Sequence, residues 1–243
     1  MIRTIIIVLF VLLYLILGIP VLLIETIIGK FNRRAKDYSC LRLVQAAFKL
    51  IMFATGVKLT VIGEENVPKD RAVLYVGNHR SYFDVVMTYA RCPRLTGYIA
   101  KVEMLRYPLL RDWMKALYCL FLDRDDIKQG LKTILQGIEY IKNGISICIF
   151  PEGTRNHTDV MLPFKEGSMK IAEKTGCPII PMAITNSAEI FEDHIPFVHR
   201  CHVILEYGTP IMPGDFSKKE QKHLGAYAQQ KIQEMLDKNK ALL

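Results

Sequence analysis

The segment "AVLYVGNHRSYFDVVM", residues 72–87, contains the turn from which the fold of this chain can be worked out. An apolar run at 72–77 ends in a glycine, a polar stretch follows, and a second apolar run begins at Val85. In the polar stretch, Ser81 and Asp84 have the spacing of a capping box, with Ser81 before the first helical turn and Asp84 within it. The segment therefore predicts a strand, a short turn and the start of a helix.

His79 and Asp84 in this turn form either a catalytic pair or only the polar beginning of a helix. Residues five apart on one regular helix point about 140° away from each other, so they cannot share a face. The two side chains can meet only if His79 precedes the helix and Asp84 lies in its first turn. The capping box predicts this arrangement, so the cap and the pair are compatible.

Apolar runs that suit strands alternate with helical patterns from residue 57 onward. This alternation predicts an α/β domain with a mainly parallel central sheet flanked by helices. In such sheets, ligands bind beyond the carboxyl ends of the strands. The predicted strands are 57–62, 72–76, 96–100, 118–122, 145–150, 179–184 and 202–206, and the predicted helices are 82–91, 104–115, 126–142, 166–176 and 218–238.

The N-terminal region is the most apolar part of the chain. Residues 5–24 carry no charged side chain and would form a helix about 30 Å long, which matches the hydrocarbon core of a bilayer. A cleavable signal peptide would have an apolar region of about 7–15 residues and a small-residue cleavage site. Glu25 and a basic cluster follow instead, so we predict a retained membrane anchor with the α/β domain on the cytoplasmic face. The basic cluster consists of Lys30, Arg33, Arg34 and Lys36.

A second segment, residues 41–56, is amphipathic. Arg42, Gln45 and Lys49 recur at helical spacing, and we predict that they lie opposite the apolar side chains. The pattern fits a helix in the membrane interface as well as a helix packed on the domain. Residues 5–24 likewise either cross the bilayer or lie half-buried beside this segment. We therefore divide the chain into membrane-anchoring helices at 1–56 and an α/β domain at 57–243.

The composition favours a membrane partner over nucleic acid. The net charge of +8 would attract either anionic lipid or nucleic acid, but the chain has no basic stripe interleaved with aromatic residues and no recognition motif. The 6 cysteines include no CxxC pair, which is typical of reduced thiols. His194, His199 and His202 lack acidic or cysteine partners at ligand spacing, so we expect no metal site.

Polar clusters follow several predicted strands. Arg124 ends "LFLDR", Lys101 ends "GYIAK", and "FPEGTRN" at 150–156 places Glu152 three residues before Arg155. The guanidinium fork of Arg155 suits a phosphate, and Glu152 is spaced to hold it in place. Each cluster alone fits an ordinary surface turn. Together they supply a base and a phosphate site but no standard nucleophile motif, which suits activation of a hydroxyl on a phosphorylated membrane lipid.

Four blocks resemble a known family when taken in order. "NHRSYFD" resembles an NHxSxxD block, "LFLDR" an FIDR-type block, "FPEGTRN" an FPEGTRS block, and "IIPMAI" at 179–184 an apolar VPVxI block. The chain is thus similar to the lysophosphatidic acid acyltransferases (1-acyl-sn-glycerol-3-phosphate acyltransferases) of the glycerolipid acyltransferase superfamily. The departures are small, since Asn156 replaces a common serine and Arg80 lies at a variable position.

The resemblance implies His79 as the general base and Asp84 as its orienting partner. It also implies transfer of an acyl chain from acyl-CoA or acyl-carrier protein to the free hydroxyl of lysophosphatidic acid, with membrane lipid as a partner and no further cofactor. Residues 57–243 then form the acyltransferase domain. The residues implied in substrate binding are Lys101, Arg124, Glu152, Gly153, Thr154 and Arg155.

Three other functions remain open at this point. A related acyltransferase would act on glycerol-3-phosphate or on another lysophospholipid. A lipid hydrolase or phosphatase would need a nucleophile or a metal, for which the sequence has no signature. A lipid-transfer module would account for the anchor and the charge but not for the ordered polar clusters.

Overall fold

The structure, a computed structural model, describes residues 1–158 and 160–243. One seven-stranded sheet forms its centre, in the order β1-β7-β6-β2-β5-β3-β4. All neighbouring strands pair in parallel except β6 and β7, so the prediction of a mainly parallel sheet is confirmed. The strands are β1 Lys58–Ile62, β2 Leu74–Gly77, β3 Thr96–Lys101, β4 Leu120–Leu122, β5 Ser146–Ile149, β6 Ile179–Thr185 and β7 His202–Tyr207.

Helices cover both faces of the sheet. Because side chains alternate along a strand, Val73 and Tyr75 contribute to one core while Leu74 and Val76 contribute to the other. The first core is completed by α1 to α4 and the second by α5 to α7. The helices are α1 Ile2–Phe31, α2 Arg33–Thr55, α3 Tyr82–Tyr89, α4 Pro108–Ala116, α5 Ile127–Lys142, α6 Lys170–Thr175 and α7 Leu224–Lys240.

Several helices begin later than the sequence pattern predicts. The predicted helix at 104–115 is a 3-10 turn at Val102–Arg106 followed by α4, which starts at Pro108. Proline suits the first helical position because its missing N–H has no partner there, and it disfavours helical geometry in the residue before it. The predicted helices at 166–176 and 218–238 likewise open with 3-10 turns, at Glu166–Met169 and Glu220–His223.

The two N-terminal helices form a hairpin that turns at Asn32. The Asn32 side chain accepts a hydrogen bond from the Ala35 backbone N–H at 3.0 Å, which caps α2, and α1 runs unbroken through Pro20. Among the described residues, α1 is the one helix long and apolar enough to cross a membrane, by length and composition alone. One side of it exposes a band of large apolar side chains that includes Leu9, Leu12, Ile16, Leu23 and Ile27.

The predicted polar face of the second helix is wrong at Gln45. This side chain is buried, and its amide donates hydrogen bonds to the carbonyls of Tyr89 at 3.2 Å and Cys92 at 2.7 Å. The last carbonyls of a helix have no partner within it, and the Gln45 amide supplies one at the end of α3. Two of the apolar side chains of the same segment, Leu43 and Leu50, are exposed.

Candidate active site

The turn after β2 lies between two neighbouring strands, because β2 pairs with β5 on one side and with β6 on the other. Asn78 holds this turn to β6. Its amide donates to the Ile184 carbonyl at 2.9 Å and accepts from the Ile184 N–H at 2.8 Å. Phe150 directly follows β5, so its ring reaches the residue after Asn78. The first and third sequence blocks are therefore adjacent at the carboxyl edge of the sheet.

The His79 side chain meets Asp84 as the capping geometry predicts. The Nδ1 atom of His79 lies 2.8 Å from Oδ2 of Asp84, whose side chain is fully buried. The same oxygen accepts the backbone N–H groups of Arg80 and Ser81, each at 2.8 Å. Ser81 in turn accepts from the Phe83 N–H at 3.0 Å, which completes the capping box. One carboxylate thus starts α3 and orients the histidine.

This arrangement fixes the tautomer of the imidazole ring. Because Oδ2 of Asp84 already accepts two backbone N–H groups, Nδ1 of His79 is the donor and Nε2 is left as the basic nitrogen. The ring stacks on Phe150 with centroids 4.2 Å apart and planes 14° apart. The His79 side chain remains 17% exposed, so a substrate can reach it.

Glu152 binds the backbone around His79. Its carboxylate accepts the His79 N–H at 2.8 Å, the Asn156 side-chain amide at 3.1 Å and the Leu162 N–H at 2.9 Å. The Asn156 N–H donates to the His79 carbonyl at 2.7 Å. The predicted pairing of Glu152 with Arg155 is therefore wrong, because this carboxylate is buried among other N–H donors.

Arg155 is held by two side chains outside its own loop. Its Nη1 lies 3.2 Å from Oε1 of Glu192, and its Nη2 lies 2.9 Å from the Tyr82 hydroxyl. The guanidinium carbon lies 3.6 Å from the centre of the Tyr82 ring, close enough for a cation–π contact. The guanidinium is thereby fixed next to the first residue of α3.

Two more cations converge on Gly153. A methyl group added at this glycine would lie 3.2 Å from Nζ of Lys165 and 3.8 Å from Cζ of Arg124. The Lys165 N–H donates to the Pro151 carbonyl at 3.1 Å, which holds this lysine beside the loop. Partial burial lowers the pKa of the Arg124 guanidinium, against the opposing effect of Glu103 and Asp125. A cation that loses hydration in this way is stabilised by an anionic ligand.

The sequence profile of the family described as Acyltransferase matches residues 58–185. The chain belongs to this acyltransferase family. The acyltransferase is 31% identical over 198 residues to the 1-acyl-sn-glycerol-3-phosphate acyltransferase of Borreliella burgdorferi, covering 80% of this chain and 78% of that protein. It is 28% identical over 223 residues to the protein of the same name from Saccharomyces cerevisiae, covering 90% and 71% respectively.

A solved structure agrees with the fold. The crystal structure of the 1-acyl-sn-glycerophosphate (LPA) acyltransferase PlsC from Thermotoga maritima matches the acyltransferase with a TM-score of 0.85 and 25% sequence identity. The match covers 99% of this chain and 95% of that chain. The predicted α/β architecture, including its N-terminal helices, is therefore confirmed.

Two predicted site residues, Lys101 and Thr154, lie near Arg124 and Arg155 in the sheet and in the loop. Lys101 ends β3 and is aligned with Leu122 of β4, two residues before Arg124. Thr154 is exposed in the loop between Gly153 and Arg155. Within residues 1–158 and 160–243, neither side chain makes a hydrogen bond or an ion pair.

Two residues of the candidate site, Glu192 and Lys165, were not predicted from the sequence. Glu192 belongs to the segment "IFEDHIPFVH", whose composition predicts a solvated or membrane-facing loop. Lys165 stands in "PFKEG", which carries no motif. A capping pattern or a glycine in a tight turn is recognisable locally. The positions of these two side chains depend instead on where distant segments of the chain meet.

Gly153 allows a direct test of the loop conformation. Its φ of 80° lies in the left-handed region, which costs a residue with a side chain about 1–2 kcal/mol. We expect Gly153→Ala to lower the free energy of unfolding by about that amount, measured by denaturant titration. Gly214→Ala is the matched control, because a methyl group there meets nothing within 4 Å. Equal stability of the two variants would contradict the strained geometry at Gly153.

Proposed function

We propose that this acyltransferase moves an acyl chain from acyl-CoA or acyl-carrier protein to the free hydroxyl of 1-acyl-glycerol-3-phosphate, which forms phosphatidic acid. The observation that carries the proposal is the direct connection between the His79–Asp84 pair and the loop at 150–156, which carries Arg155 and which we call the cationic loop. Glu152 and Asn156 hydrogen-bond the backbone N–H and carbonyl of His79 itself. A base and a phosphate-binding site are therefore held in one rigid unit. The names of the two relatives support the same acceptor.

The proposed reaction is a direct transfer. Nε2 of His79 removes the proton of the acceptor hydroxyl as its oxygen attacks the thioester carbonyl. The carbon–sulfur bond then breaks, and the protonated imidazole returns the proton to the departing thiolate. The carboxylate of Asp84 stabilises the positive charge that the ring carries between these steps. The bonds and protons balance without a redox step, so we propose no cofactor beyond the thioester donor.

The cationic side chains fit the phosphate of the acceptor. Arg155 presents a fixed guanidinium, and Arg124 and Lys165 lie near Gly153 in the same loop region. Guanidinium groups match phosphate oxygens in two parallel hydrogen bonds, whereas a lysine acts as a point charge. We propose that Arg155 and Arg124 bind the phosphate, that Glu152, Gly153 and Thr154 shape the loop, and that Lys101 adds charge at its edge.

A product assay tests this function. The purified protein is given lysophosphatidic acid in vesicles with either acyl-CoA or acylated carrier protein, and phosphatidic acid and free thiol are measured together. We expect the two products in equal amounts. Thiol release without phosphatidic acid would identify a thioesterase. Faster transfer to glycerol-3-phosphate or lysophosphatidylcholine would show that this member of the family uses a different acceptor. Neither product from either donor, with vesicle binding intact, would reject the transferase function.

We further propose that residues 1–56 lie in one leaflet and hold the domain 57–243 on the cytoplasmic face. The α1 helix contacts the domain at separate points along its length. The Val198 N–H donates to the Thr4 hydroxyl at 2.8 Å, and a methyl group added at Gly18 would lie 2.6 Å from Nε1 of Trp113. A helix that crossed the bilayer with these contacts would pull a polar domain into the hydrocarbon, which is costly. The exposed apolar band of α1 faces the lipid in this arrangement.

Charge placed in that band is expected to weaken membrane binding. Leu12 and Ile16 are 52% and 58% exposed on the same side of α1. Burial of one such side chain contributes about 1.5–3 kcal/mol, so Leu12→Glu with Ile16→Glu should lower binding to vesicles at least about 100-fold, measured by sedimentation. Ile127→Glu is the matched control, because Ile127 is 89% exposed on α5, on the other face of the sheet. Equal losses in both proteins would contradict docking through α1.

A further inference from the structure

Glu192 lies in the connection between β6 and β7, at the start of a short 3-10 helix, Glu192–His194. Its side chain is only 2% exposed. One oxygen, Oε1, accepts both the Tyr82 backbone N–H at 2.8 Å and Nη1 of Arg155 at 3.2 Å. A single buried carboxylate oxygen therefore joins two segments that are far from it in the sequence.

Both contacts fall on Oε1 and compensate part of the charge of the buried carboxylate, since Oε2 has no hydrogen-bond partner among the described residues. Burial of an ionised group is costly unless it is paired and hydrogen-bonded. Arg155 supplies the opposite charge, and Tyr82 supplies the N–H of the first residue of α3, where the helix dipole favours an anion. Asp84 lies in the same first turn, so the two carboxylates accept different backbone N–H groups at one helix start.

The contacts also restrict Arg155. Its guanidinium stacks on the Tyr82 ring, Nη2 meets the Tyr82 hydroxyl, and Nη1 meets Glu192. Tyr82 is 57% exposed, so its ring alone is a movable support. The buried Glu192 is the rigid one, and it ties the guanidinium to the helix whose first turn carries Asp84.

We propose that Glu192 is a positioning residue for acyl transfer. It orients the guanidinium of Arg155 so that the remaining N–H groups face the phosphate of the acceptor, at a fixed distance from the His79–Asp84 pair. This inference rests on the proposed function, since it assigns the phosphate to Arg155. Glu192 itself does not touch the substrate. Its removal is therefore expected to weaken acceptor binding through Arg155 and to leave the donor unaffected.

The test measures the KM for lysophosphatidic acid and the KM for the acyl donor in Glu192→Gln. Glutamine can still accept from the Tyr82 N–H but no longer pairs with the charge of Arg155. A hydrogen bond to a charged group contributes about 1.5–3 kcal/mol, so we expect the acceptor KM to rise about tenfold or more. The donor KM should change less than about twofold. Glu189→Gln is the matched control, because Glu189 lies in the same connection and contacts His194 instead.

A double-variant cycle separates positioning from a purely structural role. In an Arg155→Ala background, Glu192→Gln should change the acceptor KM by less than about twofold, since the orienting partner is already gone. A cap on α3 alone would instead give the same effect with and without Arg155. If Glu192→Gln unfolds at the assay temperature, Glu192→Asp retains the buried charge but shortens the reach, and it should raise the acceptor KM in the same direction.

The outcomes distinguish this inference from the proposed function. Failure of the wild-type protein to make phosphatidic acid would reject the function itself. Wild-type activity together with an unchanged acceptor KM in folded Glu192→Gln and Glu192→Asp would overturn the positioning role alone. Equal rises in the acceptor and donor KM would also overturn it, because they would indicate a general disturbance of the site.

Discussion

Replacement of His79 with alanine is expected to lower the rate of acyl transfer by about 10³-fold, because a positioned general base contributes about 10²–10⁴-fold. The fold should survive. The contacts that join the turn to the cationic loop use the His79 backbone, whose N–H and carbonyl bind Glu152 and Asn156. The side chain that is removed is stacked on Phe150 near the surface. The measurement is the initial rate of phosphatidic acid formation at saturating concentrations of both substrates.

The matched control for this prediction is His223→Ala. His223 is an exposed histidine that precedes α7 and lies outside the site. This variant should keep the wild-type rate and melting temperature. A folded His79→Ala protein with more than about a tenth of the wild-type rate would contradict the role of general base, since a loss that small is below the range for proton transfer.

The parts of the fold that the sequence predicts are those fixed by local pattern. The strand, turn and helix at 72–87 follow from one apolar run, one capping box and a second apolar run, and the structure has β2 and α3 there. Asp126 is another local signal, since its side chain caps α5 by accepting the Lys128 and Gln129 N–H groups at 2.9 and 3.0 Å. Interactions within a few residues of each other do not depend on the rest of the chain.

The parts that were not predicted depend on long-range contacts. Glu192 lies 110 residues from Tyr82 and 37 from Arg155, so no spacing rule connects them. Gln45 has the polarity of a solvent-facing residue, and its burial follows from two carbonyls at the end of a helix elsewhere in the chain. The direction of β7 relative to β6 also depends on the segment that connects them. A parallel pair needs a crossover connection, usually an α-helix, whereas this segment contains two short 3-10 helices and the strands pair antiparallel.

Asp84→Asn separates the structural and catalytic roles of this residue. Oδ2 of Asp84 accepts three hydrogen bonds, from His79 Nδ1 and from the Arg80 and Ser81 N–H groups. An asparagine oxygen can still accept from the Arg80 and Ser81 N–H groups, so the start of α3 should persist. The negative charge that stabilises the protonated imidazole is lost. We therefore expect kcat to fall about 10²–10⁴-fold with little change in melting temperature.

Ser81→Ala gives the opposite result if this division of roles is right. The Ser81 hydroxyl accepts from the Phe83 N–H at 3.0 Å and makes no hydrogen bond with His79, so its loss removes half of the capping box. Loss of such a cap costs about 1 kcal/mol, and it should lower the melting temperature while kcat stays close to wild type. Near-normal kcat in Asp84→Asn would instead leave Asp84 with the cap alone. The two variants together thus decide whether the buried carboxylate of Asp84 acts on His79 as well as on the start of α3.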